Sequence, residues 1–191
     1  KKKIRAQELI MDLLKERAET GRIYIMNIDH ANDHSSFKDR VYMSNLCQEI
    51  TLPTDPLQHI DGDGEIALCI LSAINVGKIN KRDELQPLCE LAVRALDEII
   101  DHQQYPINAA EVSTKARRSL GIGYIGLAHY LAKKGYKYNQ KLAWRQVDKL
   151  TEAFQFYLLS ASVEVAKEKG KCEFFDKTKY ADGILPIDTY K

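Results

Sequence analysis

The sequence predicts an α/β fold. Short runs rich in β-branched and aromatic residues alternate with longer segments of helical periodicity, and glycines stand where those helical segments should stop. The chain has 191 residues, 45% hydrophobic and 29% charged, an ordinary globular balance with enough length for one large domain.

The first helix is read at residues 4–19, where Ile4, Leu9, Ile10, Leu13 and Leu14 recur near helical spacing and Gly21 supplies a stop. Residues 22–28 (RIYIMNI) read as a strand, apolar enough to be buried on both faces of a parallel sheet. Residues 29–45 are polar and irregular and read as loop. Residues 45–52 (NLCQEITL) read as a short extended segment. Pro53, Pro56 and the run DGDG at 61–64 mark a surface loop.

A second buried, strand-like segment is expected at 65–75 (EIALCILSAIN). Residues 84–104 form a helix with Leu88, Leu91, Ala92, Ala95, Leu96 and Ile99 on one face. Residues 120–133 (LGIGYIGLAHYLAK) run from a strand or tight turn into a helix that Gly135 ends. The longest helix is expected over 143–169, with Val147, Leu150, Phe154, Tyr157, Leu158, Ala161 and Val165 on one stripe and Gly170 at its end. Tyr24, Tyr42 and Tyr157 fall in apolar patterns and read as packing residues. The tail (ADGILPIDTYK) has turn character. There is no internal repeat, low-complexity tract or linker. With few strands for a complete sheet, the chain reads as a piece of one larger domain, whose open sheet edges invite pairing.

Charge excludes some functions. Lys and Arg total 28 against 27 acids, a net charge of +1, so nothing suggests a nucleic-acid partner. The run Lys1-Lys2-Lys3 is too short to change this and reads as a solvated start or a cut end. No apolar run approaches the ~20 residues of a membrane span, and Glu8, Asp12, Glu16 and Glu19 interrupt any secretory core.

Four cysteines occur, at 47, 69, 89 and 172, none at zinc-finger or CxxC spacing. Cys89, inside a helical pattern, and Cys172, after a helix end, read as small buried hydrophobes. Cys47 has unusual neighbours. On an extended backbone alternate side chains share a side, so Asn45, Cys47 and Glu49 would place an amide, a thiol and a carboxylate together, a hydrogen-bonding group, a hydrogen-atom carrier and a general base. From spacing alone the commoner reading is a buried, inert Cys47 with Asn45 and Glu49 at the solvent edge.

Other patterns carry less. Gly121, Gly123 and Gly126 fit G-x-G-x-x-G, which opens the alternative of a nicotinamide-dependent oxidoreductase. The preceding residues 115–120 (KARRSL) make a poor strand, however, and residues 141–149 look helical where a second strand with an acid should end. Tight turns and close helix packing explain the glycines better. His30 and His34 would align as metal ligands on a helix but read as loop. The DGDG run lacks the ligand pattern of a calcium loop and reads as a plain turn. Arg117 and Arg118 read as salt-bridge formers before phosphate ligands.

Four segments in order carry a resemblance. YMSNLCQEITLP at 42–53 resembles the finger-loop signature of ribonucleotide reductase large subunits of the aerobic class I type. GEIALCILSAINVG at 64–77 resembles the family segment that holds a redox cysteine. RRSLGIG at 117–123 and GILPIDTYK at 183–191 resemble two further signatures. The resemblance covers about residues 4–191. It implies that the whole chain, 1–191, is a fragment of a ten-stranded α/β barrel with a central finger loop at about 41–53 and surrounding helices. The allosteric sites upstream, and the phosphate loop, tyrosine relay and C-terminal cysteine pair downstream, lie outside it.

The resemblance also implies roles. Cys47 becomes a thiyl radical that takes the 3′ hydrogen of a ribonucleotide. Glu49 takes the 3′ hydroxyl proton, and Asn45 hydrogen-bonds the substrate at the same carbon. Cys69 is half of a redox-active pair whose partner matches neither Cys89 nor Cys172. A cytoplasmic oxidoreductase follows, making deoxyribonucleotides for DNA synthesis from ribonucleoside diphosphates. The fragment itself binds no cofactor or metal. The radical comes from a separate, small metal-containing subunit and the electrons from an external dithiol, thioredoxin or glutaredoxin. The remaining segments of the large subunit, and a second large subunit in a homodimer, are the other expected partners. The alternative of another class is a non-catalytic piece that completes a barrel or an interaction surface.

Overall fold

The computed structural model describes residues 3–59, 62 and 64–190. The expectations for Lys1, Lys2, Asp61 and Asp63 therefore lie outside the described residues.

The strands are β1 (Ile70–Asn75) and β2 (Leu120–Ile125), paired in parallel with Ile70 opposite Leu120 and Asn75 opposite Ile125. A parallel pair needs a long crossover. Here it is a 3-10 turn at Val76–Lys78, another at Arg82–Glu84, then helices that we number with the rest in chain order. These are α1 (Ala6–Thr20), α2 (Ile28–Asp33), α3 (Leu85–His102), α4 (Asn108–Arg117), α5 (Leu127–Lys133) and α6 (Lys141–Lys169). Three 3-10 turns follow, at Glu173–Lys177, Lys179–Asp182 and Pro186–Tyr190.

Strand alternation divides the small sheet into two faces. Ile74 and Ile122 face the helices and join Leu85, Cys89 and Phe154 in one apolar cluster. Ile122 and Leu158 carry the packing onward to Val93, Ala161 and Val165. The core is thus a layer of α3 and α6 laid on one side of β1 and β2. The other face carries Leu71 at 61% exposure and Ile125 at 54%; it is open.

The α6 stripe is as the sequence predicts, with Phe154, Ala161 and Val165 buried, and Gly170 follows its last turn. The span of α3 is also as predicted, and of its expected face Leu96 is buried and Ala92 packs against the core. Leu85, Cys89, Val93, Leu96, Asp97 and Ile100 face the core, while Leu88, Leu91 and Ile99 of the expected face are exposed. This helix is apolar on two sides, and periodicity alone cannot choose between them. Asp97 is tolerated inside because Arg118 Nε donates to it at 2.8 Å and Lys169 Nζ at 3.0 Å.

Three further expectations are corrected. Residues 22–27 form no strand, and Ile28–Asp33 is a short helix. Tyr24 and Ile25 are 51% and 57% exposed, so this apolar run has no second sheet neighbour to pair with among the described residues. His30 therefore lies on a helix and His34 caps it, stacked 4.3 Å from the Tyr190 ring. Tyr42, read as a packing residue, is 72% exposed. Helix α4 had no apolar stripe to announce it, because its buried positions are Ala109, Ala110, Ser113, Thr114, Ala116 and Arg117.

Cys89 is fully buried on α3, as its pattern predicts, and burial pushes its thiol pKa up to about 11 from an ordinary value of 9.0. Above pH 9 the unfolded chain ionises this thiol while the folded chain keeps it neutral. Stability is then fully present below pH 9 and lost as pH rises through 11, by about 2–3 kcal/mol at most. We expect urea unfolding to show the gap between wild type and Cys89→Ala narrowing by that amount from pH 8.5 to 11. A gap that stays constant would refute the linkage.

Candidate functional site

The loop between α2 and β1 is fastened at both feet. Val41 is fully buried, and Asn32 grips its peptide: Val41 N–H donates to Asn32 Oδ1 at 2.8 Å and Asn32 Nδ2 donates to Val41 O at 2.9 Å. At the other foot Pro53 is fully buried. Between them the chain climbs into solvent, with Tyr42, Met43 and Leu46 at 69–75% exposure.

The tip is a turn, which corrects the extended reading. Gln48 N–H donates to Asn45 O at 3.1 Å, and Gln48 takes φ 62°, a left-handed conformation uncommon for a residue with a side chain. Asn45 holds the turn from inside. Its Oδ1 accepts from Ile50 N–H at 3.1 Å, and its Nδ2 donates to Glu49 Oε1 at 2.6 Å. Ser44 Oγ closes the neck by donating to Ile50 O at 2.7 Å. Asn45 and Glu49 do meet, as strand alternation predicted, but through a turn that brings residues four apart together. Cys47 sits at the apex with its thiol exposed, so the reading of a buried cysteine is also corrected.

Cys69 lies one residue before β1 and is partly buried. Burial first, and then the negative charge of Glu49, hold its thiol above the ordinary value. That coupling places the loop tip within electrostatic reach of Cys69. The neighbouring strand leaves room for the sulfur only because position 121 has no side chain: a Cβ there would lie 2.7 Å from Cys69 Sγ and 2.5 Å from Leu71 Cδ2. All four cysteines are free thiols, with Cys172 only partly buried.

The glycine pattern at 121–126 does not make a dinucleotide-binding turn. Gly121 and Gly123 lie within β2, whereas that motif needs its glycines in the turn after a strand. Gly126 alone sits at the strand–helix junction, with φ 77° and Asn75 Oδ1 only 2.4 Å from where a Cβ would be. Arg117 and Arg118 are salt-bridged. Arg117 reaches Glu65 and Asp39, and Arg118 reaches Asp97 and Asp101. Sequence reasoning missed Asp39 and Glu65 as members of this region; the only signal was the arginine pair in RRSLGIG.

Among the described residues no group of three or more His, Cys, Asp or Glu side chains is placed to hold a metal ion. No helix among them is long and apolar enough to cross a membrane.

Comparison with known proteins agrees with the motifs. The family described as ribonucleotide reductase, barrel domain, matches residues 1–191. The ribonucleoside-diphosphate reductase subunit alpha of Haemophilus influenzae is 56% identical over 195 residues, covering 100% of this chain and 26% of that protein. The ribonucleoside-diphosphate reductase 1 subunit alpha of Escherichia coli is 55% identical with the same coverage. The subunit alpha of phage T4 is 40% identical, covering 100% of this chain and 25% of that protein. The chain thus spans about a quarter of the length of these relatives.

Proposed function

The chain belongs to the ribonucleotide reductase family, as part of its barrel domain, and on that premise we propose that it carries the radical-bearing loop of a ribonucleoside-diphosphate reductase. The observation that carries the reading is one loop tip with an exposed Cys47 thiol beside an Asn45–Glu49 hydrogen bond of 2.6 Å.

The chemistry follows from the groups. A Cys47 thiyl, formed when the thiol gives up an electron and its proton to the radical chain of a separate subunit, takes the 3′ hydrogen atom of the substrate ribose and becomes S–H. Glu49 accepts the 3′ hydroxyl proton. The 2′ hydroxyl then leaves as water. Cys69 and a partner thiol beyond this chain supply two electrons and two protons and end as a disulfide. Cys47 returns its hydrogen to C3′, which regenerates the thiyl, and Glu49 returns its proton to the 3′ oxygen.

Asn45 orients Glu49 through one Nδ2 hydrogen and holds Ile50 through its Oδ1, which leaves its second Nδ2 hydrogen to bond the substrate at the same carbon. A thiol kept protonated by burial and by the Glu49 charge suits Cys69, because a proton donor is needed where the hydroxyl leaves. The nucleoside-diphosphate substrate, the small radical-generating subunit, a thioredoxin- or glutaredoxin-type reductant, a second large subunit and a cytoplasmic setting belong to the same proposal.

The test is an isotope effect. The enzyme containing this chain, with its radical-generating subunit, is given CDP deuterated at C3′. We expect slower reduction of the deuterated substrate under single-turnover conditions and no exchange of the label when Cys47 is serine. Reduction with no sensitivity to deuterium at C3′, where that step is isolated, would remove the proposed role.

A further inference from the structure

We infer that Arg117 is a positioning residue for Cys47: its buried guanidinium ties together the two feet of the exposed loop and fixes where the loop tip stands. This rests on the proposed role of the loop, but the geometry behind it is independent of that role.

Arg117 closes α4 and its side chain is 2% exposed. Its Nη2 donates to Glu65 Oε2 at 2.7 Å and to Asp39 Oδ2 at 3.0 Å, and its Nε donates to Glu65 Oε1 at 3.0 Å. Asp39 lies two residues before the buried Val41, at the entrance to the loop. Glu65 belongs to the exit side: its Oε2 accepts Asp55 N–H at 2.8 Å, and its own N–H donates to Asp55 O at 3.1 Å. Asp55 is two residues after the buried Pro53. One cation therefore spans entrance and exit, and the eleven residues 42–52 between the feet are the loop that carries Asn45, Cys47 and Glu49.

Two features mark this as a built arrangement. The Glu65 side chain is 3% exposed, and burying two charges is costly unless they pair; Nε and Nη2 of Arg117 make that pairing, while its Nη1 is buried without a partner among the described residues. Aromatic rings complete the enclosure, with the guanidinium carbon 5.2 Å from the Phe174 ring centre and 6.0 Å from that of Phe37. The entrance strand is also paired from outside. Phe37 bridges Thr178, Lys38 N–H donates to Lys177 O, and Lys179 N–H donates to Ser36 O. Four residues beyond Arg117 is Gly121, the position that admits the Cys69 sulfur. The RRSLG segment thus refers both thiols to one piece of backbone.

The mechanical consequence is specific. Without the Asp39 limb the exit stays attached and the entrance loses its tie to Arg117, keeping the bonds of Val41 to Asn32 and of residues 36–38 to residues 177–179. The loop would keep its own turn, which Ser44 and Asn45 hold, but would lose its fixed position. Substrate binding through other parts of the enzyme would change little, while delivery of Cys47 to the substrate would fail. A displacement of about 1 Å at a reacting group costs on the order of a hundredfold in rate.

The experiment uses the whole enzyme, with Asp39→Asn as the mild variant and Arg117→Lys and Arg117→Gln as the stronger ones. Asp39 is 34% exposed, so its neutral isostere leaves the buried Arg117–Glu65 pair intact and should fold. For Asp39→Asn we expect amide deuterium uptake to rise about tenfold at residues 42–52 and stay unchanged in α3 and α6. We expect kcat to fall about 10- to 100-fold with KM within about twofold of wild type, and Arg117→Lys to retain more activity than Arg117→Gln. Unchanged uptake in the loop would overturn the inference, as would uptake rising equally in α3 and α6, or an effect confined to KM. A Cys47→Ser control separates the two ideas. If that variant still turns over, the proposed function fails while the exchange result stands. If it is dead and the loop exchange is unaltered, only the role of Arg117 falls.

Discussion

Replacing Cys47 with serine is expected to bring nucleotide reduction to assay background while leaving the fold intact. The chemical argument is bond strength. An S–H bond is weak enough to exchange a hydrogen atom with a ribose C–H, so a thiyl can both take and return it. A serine O–H is too strong to be converted to the corresponding radical by the same partner. The structural argument is that the thiol supports nothing. Cys47 is exposed at the apex of its turn, and the turn is held by Ser44, Asn45 and the Gln48 N–H. Serine in an exposed turn should change unfolding stability by no more than about 0.5 kcal/mol. Circular dichroism and urea midpoints should therefore match wild type. The measurement is CDP reduction by the reconstituted enzyme. Turnover above background would end the assignment of Cys47, and a large loss of stability would show that the thiol had a structural part after all.

How far such a site can be read without coordinates depends on what holds it. The helices α3 and α6 were legible because their stripes repeat over 18 and 29 residues, long enough for the helical period to emerge. The face of α3 was legible only in part, at Ala92 and Leu96, since two apolar sides compete and only the position of β1 and β2 decides between them. Residues 22–28 show the opposite failure. Their composition is that of a strand, but a strand needs a neighbour, and β-propensity mostly reports packing that the environment supplies. The loop residues Asn45, Cys47 and Glu49 were legible as a set through resemblance, while their geometry was not. Alternation along an extended chain predicted the right pair for the wrong reason, because the left-handed Gln48 has no sequence signature comparable to an Asn-Gly turn. Asp39, Glu65 and Arg117 were least legible of all. They are 78 and 52 residues apart in the two pairs, and no local pattern reports a contact at that distance.

The second large effect is expected at Cys69, and the strand beside it offers a way to separate chemistry from position. Cys69→Ser should stop turnover with a thioredoxin- or glutaredoxin-type reductant, because a lone partner thiol cannot deliver two electrons and close a disulfide. Gly121→Ala leaves the thiol present and moves it. The new methyl would have to occupy space 2.7 Å from Cys69 Sγ and 2.5 Å from Leu71 Cδ2, well inside van der Waals contact. Leu71 is 61% exposed and can swing outward. Cys69 is more confined, lying one residue before the strand that pairs with β2. We therefore expect Gly121→Ala to lower reductant-dependent turnover about 10- to 100-fold, with only a modest loss of stability. Gly123→Ala is the control. It lies two residues along the same strand, and a Cβ there meets nothing within 4 Å, so it should leave activity near wild type. The comparison is read by steady-state reduction and by the rate at which Cys69 is alkylated in the free enzyme. If Gly121→Ala and Gly123→Ala behave alike, the space at position 121 does not govern Cys69. If Cys69→Ser itself turns over with the dithiol reductant, Cys69 is not a member of the reducing pair, and the glycine opposite it only relieves crowding between two strands.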